Sequence, residues 1–150
     1  MPIRSLRLRA VFAAGLMITA SCGPAAAPIS HLRIVARDYA FGFPGSVPAG
    51  MTAFRLVNEG TVLHEVQLYR FRPGISRDSA LRMLATNTIT DSVIDGDGGV
   101  LIVGPADSTV QELLAPLKPG DVYALECAFR NAPDQPKHRD LGMVAVFQVD

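Results

Sequence analysis

Pro119-Gly120-Asp121-Val122-Tyr123-Ala124-Leu125-Glu126-Cys127 is the stretch whose reading decides the fold. Pro-Gly marks a turn, and the residues after it alternate. Successive side chains on a strand point to opposite faces, so Tyr123, Leu125, Cys127 and Phe129 share one face. Val122, Ala124, Glu126 and Ala128 share the other. The closing run, Met143 to Val149, repeats the pattern, with Met143, Ala145, Phe147 and Val149 in phase. Strands with one apolar face must bury it against a second layer, which points to an all-β sandwich or barrel.

Upstream, short β-type runs punctuated by Gly and Pro extend the same reading. His31 to Ala36 alternates as a first strand, and Tyr39-Ala40-Phe41 continues it toward a turn at Pro44-Gly45. Val47-Pro48-Ala49-Gly50 is a second turn, feeding Met51 to Val57. There Thr52, Phe54 and Leu56 face one side and Ala53, Arg55 and Val57 the other. In Val62 to Phe71, His64 shares an apolar phase with Val62, Val66 and Leu68; Glu65, Gln67 and Tyr69 lie on the more polar one. Ser76 can cap a short helix from Arg77 to about Ala85. Thr88 to Val103 reads as one or two short strands around Asp95-Gly96-Asp97-Gly98-Gly99, and Ser108 to Leu114 as another. The Asp-Gly-Asp-Gly run hints at calcium. An EF-hand loop needs Glu at its twelfth position, however, and counting from Asp95 that position is Ala106. The run is therefore expected to be a turn. The expected architecture is an all-β sandwich or barrel of antiparallel strands over residues 31–150, with a short helical insert.

The N-terminus has the character of an export signal. Arg4, Arg7 and Arg9 precede a short apolar run, Ala10 to Ala20, that is too short to span a bilayer comfortably. Thr19-Ala20-Ser21-Cys22-Gly23 resembles a bacterial lipobox, although Thr19 stands where Leu is usual. On this reading residues 1–21 are a signal peptide, Cys22 carries lipid, and 22–30 is an Ala/Pro-rich tether. Plain secretion is the competing reading. Its best site, Ala25-Ala26-Ala27, is followed by Pro28, a poor residue just after a scissile bond. The formal charge balances at 14 basic and 14 acidic residues. Removing the three leader arginines leaves 11 against 14, a net −3. That balance, with only two lysines and no basic run, argues against nucleic acid as a partner.

Export sharpens the meaning of Cys127. With Cys22 lipidated, Cys127 is a lone thiol in an oxidising compartment, where it needs either core burial or a metal. Downstream lie His138 and Met143, and upstream lies His64 after Asn58-Glu59-Gly60. Two imidazoles, a thiolate and a thioether are the donor set of a mononuclear blue-copper site. Taken singly, each has a commoner core role. Together, strand phase turns His64, Cys127 and Met143 inward at strand ends, while His138 sits on the connecting loop and is the ligand expected nearest solvent. His31 reads as no more than the start of the first strand.

These segments resemble the cupredoxins, the plastocyanin- and azurin-like family. Val47 to Gly50 is similar to an N-terminal feature of bacterial members. Asn58-x-Gly60-x-x-x-His64 resembles the segment bearing the first ligand, Pro119 to Cys127 the strand leading to the Cys, and His138-x-x-x-x-Met143 the closing loop. The resemblance implies a Greek-key β-sandwich and one type 1 copper, with His64, Cys127 and His138 equatorial and Met143 axial. It implies a single-electron carrier rather than an enzyme, a redox partner protein in the cell envelope, and a monomer; the lipobox reading adds attachment to the membrane through lipid on Cys22. Copper handling or delivery is the alternative, and a copper-free interaction module is another. Three features depart from the family. Ten residues separate Cys127 from His138, where many members use only a few; Glu65 follows His64, where many carry Asn; and the helical insert near Ser76 to Ala85 is unlike the smallest members. The lipobox reading predicts that the chain, expressed with its leader, takes up radioactive palmitate and loses the label in Cys22→Ala. An unlabelled wild type overturns it.

Overall fold

The structure is a computed structural model that describes residues 27–150. The leader at 1–21 and Cys22 lie outside the described residues. The first strand, β1, runs Ser30–Arg37, one residue beyond each end of the expected one. It hairpins into β2 (Ala40–Gly42), antiparallel to it, instead of continuing into it. Then come β3 (Ser46–Val47), β4 (Gly50–Asn58) and β5 (His64–Phe71). Helix α1 occupies Arg77–Ala85, followed by β6 (Ile94–Val103), β7 (Leu113–Leu117), β8 (Val122–Glu126) and β9 (Val144–Val149).

Two sheets form a sandwich. One is four-stranded in the order β2-β1-β4-β7, the other five-stranded in the order β3-β9-β8-β5-β6. Both are mixed, which corrects the all-antiparallel expectation. The chain between β1 and β4 contains β2 and crosses to the opposite sheet as β3, so β4 returns to lie parallel to β1. A parallel neighbour requires such a crossover, whereas antiparallel neighbours can be joined by a tight turn.

Apolar phases from both sheets meet in one core. Phe54, Phe147, Leu56, Leu68, Leu125 and Ile34 are fully buried in it, together with Cys127 and Met143. Phe147 stacks on Tyr123 at 5.2 Å between ring centroids and also packs against Phe43 and Phe54. A second apolar cluster lies on the outer face of the five-stranded sheet. Tyr69, Phe71, Val122, Ala124 and Val146 are covered there by α1 through Ala80, Leu81 and Leu84. All five residues of β8 are consequently buried, because the sandwich covers one face and the helix region the other. The β5 phase expected to be polar thus splits: Glu65 and Gln67 stay half-exposed while Tyr69 and Phe71 go under the helix. Ser76 caps that helix as expected, its hydroxyl accepting from the Ser79 N–H.

Two local readings change. Asp95 to Gly99 is not a turn but part of β6, whose pairing with β5 slips register at Leu68, Tyr69 and Phe71. Glycine suits that bulge. Gly99 has φ +115, and a Cβ on it would lie 2.5 Å from the Leu113 side chain. Ser108 makes only a single bridge to Val57, and β7 begins later, at Leu113. Buried Thr109 takes up the intervening bonding: its N–H donates to the Leu56 carbonyl and its hydroxyl accepts from the Leu56 N–H.

Because Phe147 joins the two sheets, Phe147→Ala is expected to lower unfolding free energy by about 3–5 kcal/mol. Urea denaturation followed by circular dichroism measures this, and a loss below about 1 kcal/mol would contradict the packing described.

Candidate metal centre

Strand register brings the donors to one pole. In the β5–β8 pair Gln67 lies opposite Glu126, so the start of β5, His64, and the residue after β8, Cys127, sit at the same end. In the β8–β9 pair Glu126 lies opposite Val144, which places Met143 beside Cys127. There the Cys127 N–H donates to the Met143 carbonyl at 3.2 Å.

The ten-residue loop folds back. Its middle closes on itself, with the Arg130 guanidinium and the Gln135 N–H each donating to loop carbonyls. The His138 N–H then donates to the Phe129 carbonyl and the Arg139 N–H to the Cys127 carbonyl, both at 2.8 Å. A 3-10 turn over His138–Leu141 follows and ends at Gly142, whose φ of 104 is left-handed. A partly buried ion pair ties this turn to β8: the Arg139 guanidinium donates to Glu126 at 2.9 Å, and the Tyr69 hydroxyl donates to the same carboxylate. Burial, followed by the charge of Glu126, pushes the Tyr69 phenol well above its ordinary range.

The result is a compact donor cluster. His64 Nδ1 and His138 Nδ1 are 3.2 Å apart, and Cys127 Sγ is 3.3 Å from His138 Nδ1. All three donor atoms lie within 4.8 Å of one another, and all three residues are buried. With bonds near 2 Å, three equatorial ligands around one ion sit about 3.5 Å apart, so the spacing fits. Met143 is fully buried next to Cys127 in the same core.

The proton arrangement fits too. His64 Nε2 is 2.8 Å from an Asp38 carboxylate oxygen, and His138 Nε2 is 2.9 Å from the Asn131 amide oxygen. An acceptor outside each ring calls for the proton on Nε2 and leaves the Nδ1 lone pair facing inward. Two inward nitrogens in contact, plus a sulfur, then need positive charge between them. A single thiol proton can satisfy only one nitrogen. Burial pushes the Cys127 thiol up and, with the neighbouring His64, pushes His138 down, so both groups resist carrying charge without a cation. The donor set and its tautomers therefore fit a type 1 copper.

No protein-family model matches the chain, and no curated protein sequence matches it. Among solved structures it is similar to the dithionite-reduced auracyanin of the photosynthetic bacterium Roseiflexus castenholzii. That match has 17% identity, covers 84% of this chain and 99% of the other, and has a TM-score of 0.52. It is similar also to auracyanin B, at 17% identity, 81% and 88% coverage and a TM-score of 0.52. The fold is that of a cupredoxin.

Within that cupredoxin fold two of the departures, the long loop and Glu65, have structural answers at the site. The long loop does not carry His138 away from the sulfur, because two backbone bonds pin its ring at the pole. Glu65 braces the Cys loop: its side chain accepts from the Ala128 N–H at 2.8 Å, and its backbone N–H points at Cys127 Sγ at 3.5 Å. His138, the ligand expected nearest solvent, is still the most exposed of the four, but at only 1% against 0% for His64, Cys127 and Met143. Tyr39 lies over its ring at 4.8 Å between centroids, and Asn131 occupies its outer nitrogen.

Sequence reasoning did not find Asp38, Tyr39 or Asn131. No strand phase or spacing marks them, because they come from a turn and a loop that meet only in three dimensions. Asp38 holds its carboxyl at about 2, chiefly through the Thr61 hydroxyl, with the Thr61 N–H and His64 adding to the effect. The one available signal was Asn58-x-Gly60. Asn58 is buried, donates to the Val62 and Gly104 carbonyls and accepts from the Gly60 N–H, folding the loop that enters β5.

Glu65→Ala leaves the Ala128 N–H without its partner and is expected to cost about 1–3 kcal/mol of stability in denaturant titration. Glu65→Gln keeps an acceptor and should lose less. Equal losses in both variants would show that the bond does not brace the loop.

Proposed function

We propose that this protein is a single-electron carrier holding one type 1 copper, with His64, Cys127 and His138 as equatorial ligands and Met143 as the axial one. The observation that carries this reading is the convergence of His64 Nδ1, His138 Nδ1 and Cys127 Sγ, with both Nε2 atoms already engaged outside. When bound, the copper supplies a one-electron couple within a thiolate–imidazole site. The protein's own part is to hold the two rings in one tautomer, keep the sulfur buried, and exclude water. The burial of His64, Cys127 and His138 favours a carrier over a delivery protein, since a cargo site has to open for exchange. A rigid β scaffold serves the carrier role as well, because it limits rearrangement between oxidation states.

The leader and Cys22, outside the described residues, support export to the cell envelope and a lipid anchor there. The partner on this reading is a redox protein of the same compartment, and the chain works as a monomer without catalysing a reaction of its own.

Adding Cu(II) to the purified protein is expected to produce an intense visible absorption from thiolate-to-copper charge transfer, absent in Cys127→Ala. A colourless protein that keeps no copper through dialysis refutes the reading. Copper that binds only the native state must also stabilise it, by about 2.7 kcal/mol at a free concentration one hundred times Kd. A thermal melt unchanged by Cu(II) would favour the copper-free interaction module instead.

A further inference from the structure

Both imidazoles of the cluster are reached from outside by one short turn, Asp38-Tyr39, between β1 and β2. Asp38 contacts His64, and the adjacent Tyr39 covers His138. The Tyr39 hydroxyl also accepts from the Asn131 amide at 2.7 Å, and the oxygen of that amide meets His138 Nε2. The turn belongs to the four-stranded sheet, whereas His64 and Cys127 belong to the other sheet or its end.

We propose that Asp38 is the positioning residue of this site: it fixes the ring orientation and tautomer of His64 and, through its charge, sets how strongly that ring donates. This rests on the copper reading only for its effect on potential, because the orientation of the ring is a property of the protein alone. His64 opens its strand, and rotating its ring by half a turn would exchange Nδ1 for a carbon at the donor cluster. The bond to Asp38 selects against that flip, since the flipped ring would offer a C–H to the carboxylate.

The carboxylate is itself held on several sides. One oxygen accepts from the Thr61 hydroxyl at 2.6 Å and the Thr61 N–H at 2.9 Å, and the other takes His64. Gly60 completes the clamp. A Cβ at Gly60 would lie 2.2 Å from the same Asp38 oxygen that meets His64, and the Gly60 N–H is tied to Asn58. Only a residue without a side chain lets Asp38 come this close. Gly60 therefore matters to the site although it touches no donor.

The two rings are not equivalent. His64 donates its outer proton to a carboxylate, His138 to a neutral amide. A carboxylate behind an imidazole raises the basicity of its inward nitrogen. His64 is accordingly the stronger donor, and it favours the more highly charged state of a bound ion.

The test uses the full protein in two arms. In the copper-free protein, nitrogen-15 NMR of the imidazoles should show His64 as a single Nε2–H tautomer. Asp38→Asn, which keeps an acceptor oxygen, should retain that tautomer; Asp38→Ala should give a mixture, and Gly60→Ala should do the same by displacing the carboxylate. In the copper-loaded protein, Asp38→Asn should raise the midpoint potential and Asn131→Ala should shift it less. An unchanged tautomer in both Asp38→Ala and Gly60→Ala, or an unchanged potential in Asp38→Asn, overturns the proposal. A purely structural role would lower the melting temperature of the variants and move neither readout. Should Asp38→Ala fail to fold, Asp38→Asn and Gly60→Ala still decide. A wild-type protein that takes up no copper defeats the carrier reading, while the tautomer arm still tests Asp38.

Discussion

Two imidazole nitrogens 3.2 Å apart, each presenting a lone pair inward beside a buried sulfur, are the constraint on which this structure turns. Such an arrangement repels itself unless a cation or a proton lies between the atoms. It persists only where the surroundings over-determine it. Every element near the pole contributes to that. Asp38 and Asn131 occupy the outer nitrogens, Glu65 braces the backbone after Cys127, and the Arg139–Glu126 pair fastens the turn that carries His138.

The sandwich supplies the rigidity this requires. β8 lies between two apolar clusters, one inside the sandwich and one beneath α1, so the strand leading to Cys127 is covered on both faces. Its neighbours β5 and β9 deliver His64 and Met143 to the same end by register alone. The helix, whose place in the architecture is otherwise incidental, thus stabilises the strand on which the donor cluster hangs. The four-stranded sheet adds the Asp38-Tyr39 turn, so the pole is closed by both layers together.

Much of this was legible in the residues. Alternation after Pro119-Gly120 put Cys127 on an apolar face, and the same argument turned His64 and Met143 inward. The helix cap at Ser76 was readable because capping is a local interaction between a side chain and the N–H groups that follow it. Other features were not readable, for reasons of range. Phase says which face a side chain takes, but not what lies on that face. The phase of Glu65, Gln67 and Tyr69 therefore reads as the more polar one, although the helix covers Tyr69 in the fold. The Asp95–Gly99 run has the composition of a turn, yet cross-strand pairing with β5 drew it into a bulged strand. The burial of His138 is not legible in its own segment because its cover comes from Tyr39, almost one hundred positions away in the chain.

The sequence by itself determined the all-β class, the inward phase of three donors, and the identity of the four side chains whose chemistry suits one soft ion. These follow from strand periodicity and donor type, which are properties of short segments. Only the tertiary structure decided that the ten-residue loop returns His138 to the sulfur, that both sheets are mixed, and that Asp38, Asn131 and Tyr39 stand behind the rings. Those depend on contacts between segments distant in sequence. Loop closure, strand register and the approach of one carboxylate past a glycine are settled by packing the whole domain at once.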